Sequence, residues 1–97
     1  MEDWFKNSLV PGLSGEIVEV GRVTHFFPRI SVAVVELKAP LRVGDRIMIR
    51  GATTNLEQTV ESMQIEHQPV QEAKPGQAIG LKVKDRVREK DIVYKIS

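Results

Sequence analysis

Basic residues recur at every second position near the end of the chain, and this spacing is the pattern most suited to chemistry. Five cations alternate with valines and acidic residues; they are Lys82, Lys84, Arg86, Arg88 and Lys90. Side chains at every second position of a β-strand point to the same face. If the segment is extended, these cations share one face and are spaced to follow successive phosphates of a nucleic acid.

The same alternation is also typical of an ordinary strand face in contact with water. The acidic residues between the cations fall on the opposite parity, and outward polar positions are routine in half-buried strands. A second basic set, Arg42, Arg46 and Arg50, would extend the basic face if its strand presents the same side. The sequence leaves both interpretations open.

The segment H-F-F-P-R at residues 25–29 is a second candidate binding site. Its aromatic rings could stack on a base, and Arg29 could hold a phosphate. Phenylalanines at strand ends also commonly complete a core, so burial of at least one of them is the simpler interpretation. We predict that His25 and Phe27 take part in binding.

Catalysis and metal binding have little support. His25 and His67 are the only histidines, cysteine is absent, and no serine lies in a nucleophile-elbow motif. Neither a catalytic triad nor a three-histidine zinc site can be assembled from this set. No G-x-x-x-x-G-K-[ST] loop is present to hold nucleotide phosphates. The sequence predicts a protein that is not an enzyme, needs no metal or cofactor and does not bind GTP.

Size and composition indicate one small domain. The chain has 97 residues, with 14 basic and 13 acidic side chains, which is enough for one core and argues against indiscriminate polyanion binding. The lack of cysteine fits a cytosolic protein, and the first ten residues lack the long apolar run of a signal peptide or membrane span. We expect a cytoplasmic protein without a membrane partner, monomeric or weakly self-associating.

The elements that must position these residues are β-strands. Apolar residues recur at period two, and glycine or proline falls between the runs. The predicted strands cover about residues 15–26, 29–38, 46–50, 57–67, 77–84 and 91–96. Bulges are predicted at Gly21 and where the second strand changes parity between Val34 and Val35. Residues 1–12 are expected to form an N-terminal extension and residues 13–97 the domain.

Several motifs resemble, in order and spacing, the second domain of translational GTPases, the barrel that follows the G domain in elongation factor Tu and elongation factor 1-alpha. The motifs are Val43-Gly44-Asp45, Gly51, Pro75-Gly76, Gly80 and the opening run at residues 15–23. The resemblance implies an all-β fold, a single closed six-stranded Greek-key-like barrel, and a stand-alone relative of elongation factors. Residues 24–40 differ from the family's hairpin, so no tRNA-contacting residue is carried over.

Together these features predict a non-catalytic binding module. Its expected partner is RNA, as tRNA or rRNA, or a ribosome-associated protein, bound through the basic face with a steep dependence on salt. The alternative is a protein-interaction adaptor that supplies a barrel domain to a separately encoded RNA-modifying or peptidase-like enzyme. Its surface would be apolar, formed by Trp4, Phe5, Met48 and Phe26, and its binding would tolerate salt.

Overall fold

The described part of the chain consists of strands and connections. The computed structural model describes residues 16–96, and no helix occurs within that range. The ten strands are β1 Ile17–Phe27, β2 Val32–Leu37, β3 Leu41–Arg42, β4 Arg46–Arg50, β5 Asn55–Thr59, β6 Met63–Ile65, β7 Gln68–Val70, β8 Glu72–Ala73, β9 Ala78–Lys82 and β10 Ile92–Ile96. The predicted all-β fold is confirmed. The predicted N-terminal extension, residues 1–12, lies outside the described residues.

The strands are arranged in one large sheet and one small one. Eight strands form an antiparallel sheet in the order β5-β4-β10-β1-β2-β9-β6-β7, while β3 and β8 pair separately. The main sheet is open, with β5 and β7 at its edges, so the predicted closed six-stranded barrel is wrong. The sheet does not close into a barrel because no backbone hydrogen-bond ladder joins the edge strands β5 and β7.

The predicted strand at residues 57–67 is divided between β5 and β6. Between them, Val60 leaves the main ladder and exchanges backbone hydrogen bonds with a neighbouring turn. Its amide donates to the Asp45 carbonyl at 2.8 Å, and its carbonyl accepts from the Gly44 amide at 2.9 Å. The backbone groups of Val60 are therefore satisfied outside the sheet, which ends β5.

One side chain bridges β5 and the chain that follows β9. Gln58 is 7% exposed. Its Nε2 donates to the Lys82 carbonyl and its Oε1 accepts from the Lys84 amide, each at 2.9 Å. A primary amide offers a donor and an acceptor together, so it pairs with both backbone groups. The sheet therefore curls until β5 approaches β9, and the contact between them depends on a side chain.

The long strand β1 bends at a glycine. Its register against β10 shifts between Glu19 and Gly21, which confirms the bulge predicted at Gly21. A Cβ atom at this position would lie 2.7 Å from the Glu36 carbonyl oxygen and 2.8 Å from Cγ1 of Val35. The close approach of β2 therefore requires glycine here.

The change of parity predicted within β2 is wrong, because the irregularity lies in β1. Buried and outward residues alternate without interruption along β2. The register of β1 against β2 shifts between Val23 and His25, so Thr24 is the extra residue of a bulge. This bulge lets Phe26 pack against the core while His25 and Phe27 are exposed.

The core is a single apolar cluster on the inner side of the curled sheet. Ile47 and Ile49 are fully buried, as predicted. Met48, predicted to face the other way and to serve a partner, is only 8% exposed. Trp4 and Phe5 lie outside the described residues. None of the described residues belongs to a helix long and apolar enough to span a membrane.

Candidate functional site

The predicted basic series does not lie on one strand. β9 ends at Lys82, residues 84–85 form a bend, and residues 89–90 form a turn in which Lys90 has a positive φ of 77°. All five cations are exposed. The five cations would share one face only if the whole segment were extended, and the extended backbone ends at Lys82. Polyanion binding by these residues stays a prediction.

A buried carboxylate fixes the turn in which the basic series ends. Asp91 is 4% exposed, and its Oδ2 accepts a hydrogen bond from the Arg88 amide at 2.8 Å. Its own amide donates to the Arg88 carbonyl at 3.2 Å, and the Lys90 amide donates to the Val23 carbonyl at 2.8 Å. Side-chain acceptors of this kind hold turns in place. The segment is therefore a fixed connection between β9 and β10.

Two of the five cations share a small cleft. Lys82 and Lys84 line a cavity of about 200 Å³ between β5 and the end of β9, together with Glu61. The carboxylate offsets part of the positive charge. Both lysines lie on the same side of the gap between β5 and β9, since Gln58 of β5 hydrogen-bonds to the backbone of each.

The second basic set lies elsewhere in the sheet. Arg46 and Arg50 are exposed on β4, and three strands separate β4 from β9 in the strand order. Arg46 pairs with Glu57 of β5 at 3.3 Å. Arg42 belongs to the separate small sheet. The strand order therefore does not place these three arginines next to Lys82.

A groove on the outer face of the main sheet is lined by one residue that the sequence predicted to take part in binding and by several residues that it did not predict. Its volume is about 240 Å³, and it extends over β2, β9 and β6. The lining residues are Phe27, Ile30, Val32, Val34, Gln64, Glu66, His67, Ala78, Ile79 and Gly80. Most of these are apolar or small, and the polar ones lie on the β6 side.

Small residues of β9 form the floor of this groove. Gly80 lies opposite Val34 on one side and Gln64 on the other. A Cβ atom at Gly80 would lie 3.4 Å from Cγ1 of Val32 and 3.6 Å from Cγ of Gln64. These are ordinary contact distances, so the glycine is not required for packing. Because Gly80 has no side chain, the groove is deeper at this position.

One end of the groove is aromatic and aliphatic. Phe27 and Ile30 are 48% and 57% exposed, which is unusual for side chains of this size. The His25 ring stacks on Phe27, with centroids 6.3 Å apart and planes 11° from parallel. The structure therefore brings the two predicted residues together. Phe27 lines the groove, and His25 packs against the Phe27 ring without lining the groove itself. Lys82 ties the loop down, since its Nζ donates to the Ile30 carbonyl at 2.9 Å.

The other end of the groove is the turn between β6 and β7. Glu66 and His67 have φ of 50° and 67°, two consecutive left-handed residues of the kind that tight hairpin turns need. Both are exposed. β6 is antiparallel to β9, with Gln64 opposite Gly80, so this turn lies beside Ala78. The groove therefore connects an apolar end with a polar end.

The sequence contains a signal for this groove. The run V-A-V-V at residues 32–35 makes both faces of β2 apolar, although only one face packs on the core. Ala78 and Gly80 are small residues on the outward parity of β9. Within residues 16–96, no cluster of three or more His, Asp or Glu side chains is placed to hold a metal ion.

The fold and its open outer groove define a small all-β domain that other proteins contain as one part. No family model matches the chain. The chain is 47% identical over 78 residues to an uncharacterised protease of Methanocaldococcus jannaschii, covering 79% of this chain and 19% of the relative. It is 37% identical over 86 residues to a collagenase of Porphyromonas gingivalis, covering 87% and 21%. The chain thus spans about a fifth of the length of these relatives.

A solved structure has the same fold. The C-terminal domain of a Geobacillus thermoleovorans protein assigned as a U32 peptidase matches with a TM-score of 0.76 and 25% identity. The match covers 80% of this chain and 91% of that one. The chain is therefore similar to a domain of peptidases, and not a stand-alone relative of translation factors.

These relatives correct two predictions. The assignment to translational GTPases, with its roles in elongation and at the ribosome, is wrong, because the relatives are named as proteases and collagenases. The prediction that the protein is not an enzyme is contradicted as well, since the named relatives that match most of the chain are enzymes. The alternative, an adaptor for a separately encoded RNA-modifying or peptidase-like enzyme, agrees better with these relatives but only in part: they are named as peptidases, and the matched segment is a part of their own chain.

Proposed function

We propose that this chain works as an accessory domain of a U32-type peptidase and engages the polypeptide on which the peptidase acts. The observation that carries the proposal is the match over 91% of a solved C-terminal domain of such a protein. The 47% identity to a fifth of a protease supports it.

A binding role follows from how a domain can help a hydrolase. A second site on the same molecule raises the effective concentration of a long substrate near the catalytic site, to about the millimolar range for short linkers. The open groove beside Phe27 is the surface feature best suited to such contact, since it is concave and largely apolar. We expect the effect on long polypeptides to exceed the effect on short peptides.

A domain exchange tests this proposal. In the Porphyromonas gingivalis collagenase, the matched segment of 86 residues would be deleted or replaced by the corresponding part of this chain. Cleavage of gelatin and of a short peptide would be measured for each protein, with circular dichroism as a check on folding. Deletion should lower kcat/KM for gelatin about tenfold or more, in line with a modest avidity gain. The exchanged domain should restore it. Unchanged gelatin cleavage after deletion would refute the proposal.

The predicted RNA partner, the cytoplasmic location, the oligomeric state and the 1–12 and 13–97 domain boundaries stay predictions. An RNA-binding role for the exposed cations has a direct check. Binding of the chain to a labelled RNA should weaken by orders of magnitude between about 50 and 200 mM salt if many phosphates are contacted.

A further inference from the structure

We infer that the groove along β9 binds an extended polypeptide segment that carries a large apolar side chain and, four residues away, a basic one. The apolar side chain lies against Phe27 and Ile30, and the basic side chain lies near Glu66. The inference rests on the proposed function for the nature of its occupant, a polypeptide.

The dimensions of the groove fit a short extended segment. The groove is lined on β9 by Ala78, Ile79 and Gly80 and on β2 by Val32, the residue opposite Lys82; four residues of strand extend about 13 Å. A cavity of about 150 Å³ is enough to hold a benzene ring. The groove volume of about 240 Å³ therefore fits one aromatic or branched aliphatic side chain with its adjoining backbone. It is smaller than sites for drug-sized ligands, which start at about 300 Å³.

The walls of the groove suit a peptide backbone better than a compact ligand. Gly80 keeps the floor low enough for a backbone to approach. Val34 forms an apolar wall on one side, and Gln64 on the other side carries an amide that can donate to and accept from a peptide group. A segment lying along β9 would meet both side chains where it passes Gly80.

The charged side chains at the two ends of the groove determine which residues of a bound polypeptide segment are favoured. The ammonium group of Lys82 lies at the apolar end, where its Nζ is 2.9 Å from the Ile30 carbonyl. Glu66 lines the opposite end. A basic residue of the segment is therefore favoured near Glu66 and disfavoured near Lys82. The same carboxylate repels a phosphate chain at this end of the groove, whereas it attracts a polypeptide that carries a basic residue there.

The test is fluorescence polarisation with the full 97-residue chain. The probes are two labelled peptides, Gly-Phe-Ala-Gly-Ala-Lys-Gly and its reversed sequence, so that both directions are covered. Control peptides replace Phe by Ser or Lys by Glu, and a labelled uridine oligonucleotide serves as the nucleic-acid probe.

Two variants alter the lining of the groove at positions where little packing is lost. Ile30→Ser alters a side chain that is 57% exposed, and Gly80→Ala adds a methyl group at ordinary contact distances. Ile17→Ser is the matched control, since Ile17 is 51% exposed and does not line the groove. The unaltered chain and Ile17→Ser should bind one of the peptides, and both groove variants should raise Kd about tenfold. A tenfold change in Kd corresponds to about 1.4 kcal/mol.

Three results would overturn the inference: no binding of either peptide, equal affinity for the groove variants and Ile17→Ser, or Ile30-dependent binding of the oligonucleotide alone. The groove variants in the exchanged collagenase separate this inference from the proposed function. If domain deletion lowers gelatin cleavage and Ile30→Ser does not, the groove inference fails and the proposed function stands. If deletion changes nothing while the chain binds the peptide through the groove, the proposed function fails.

Discussion

Replacing Gly51 by Ala should destabilise the protein through one specific collision. A Cβ atom at Gly51 would lie 1.8 Å from Oδ1 and 2.7 Å from Cγ of Asp91. The carboxylate is nearly buried, and its Oδ2 accepts a hydrogen bond from the Arg88 amide at 2.8 Å. The side chain of Asp91 therefore cannot rotate away without breaking that bond. The backbone of Gly51 lies outside the left-handed region, so the collision is the main obstacle.

The magnitude follows from the bond that must break. A hydrogen bond to a charged acceptor contributes about 1.5–3 kcal/mol to stability. We therefore expect Gly51→Ala to lower the free energy of unfolding by about 2 kcal/mol. For a domain of this size, that corresponds to a fall in Tm of about 8–16 °C.

A double-mutant cycle isolates this mechanism. Asp91→Ala alone should cost a similar amount, since it leaves the Arg88 amide without its acceptor. In the Asp91→Ala background, the colliding Oδ1 and Cγ atoms are gone, and the remaining Cβ of residue 91 lies 3.5 Å from the methyl group added at Gly51, an ordinary contact. The added methyl group should then be neutral or stabilise by up to about 1 kcal/mol, because alanine restricts the unfolded chain. The coupling energy should be about 2 kcal/mol, obtained from urea unfolding followed by circular dichroism.

Two results would refute this reasoning. One is a Gly51→Ala protein as stable as the original chain. The other is an equal loss in both backgrounds, which would mean that Asp91 is not the obstacle. Gly80→Ala serves as the matched control, since its nearest contact of 3.4 Å is ordinary and its stability should change by less than about 1 kcal/mol.

Gln58→Leu should lower the free energy of unfolding by about 2–3 kcal/mol, because it leaves two backbone groups unpaired. It should also speed hydrogen exchange at the Lys84 amide, measured by NMR. Gly21→Ala should cost about 2 kcal/mol or more in urea unfolding, because its Cβ would lie 2.7 Å from the backbone oxygen of Glu36, which cannot rotate away. Phe27→Ala should change the free energy of unfolding by less than about 1 kcal/mol, since the ring is already 48% exposed.

Each of these predictions has its own contradicting outcome. Unchanged exchange at Lys84 in Gln58→Leu would mean that the side chain does not join β5 to the end of β9. For Gly21→Ala, a loss no greater than that of Gly80→Ala would contradict the close approach of β2. A loss of 3 kcal/mol or more for Phe27→Ala, as for a buried aromatic ring, would show that the ring belongs to the core.

The turn motifs that resembled a translation-factor barrel led to the wrong family. Pro75-Gly76 and Gly44 satisfy backbone needs of tight turns, where the φ values of Gly44 and Gly76 are 100° and 89°. Such residues report that the chain turns at these points, and many unrelated functions use sheets with the same turns. They could therefore predict strands and turns and could not predict activity.

The basic series shows the limit of a periodic pattern. Alternation predicts one shared face only while the backbone is extended, and β9 ends at Lys82. The buried carboxylate of Asp91 then folds the following residues into a turn against β1. Asp91 occurs in the sequence as one more acidic residue among cations. Its burial depends on packing against Gly51, which lies far away in the chain.

The sequence alone determined the local features of this protein: strands where apolar residues recur at period two, breaks at glycine and proline, and the bulge at Gly21. These follow from steric limits and side-chain parity, which act between near neighbours in the chain. The tertiary structure alone decided that the sheet stays open, that Gln58 joins its edge to β9, and that Phe27, Gly80 and Glu66 line one groove. Those features depend on which strands become neighbours, and that choice is made by the packing of the whole chain.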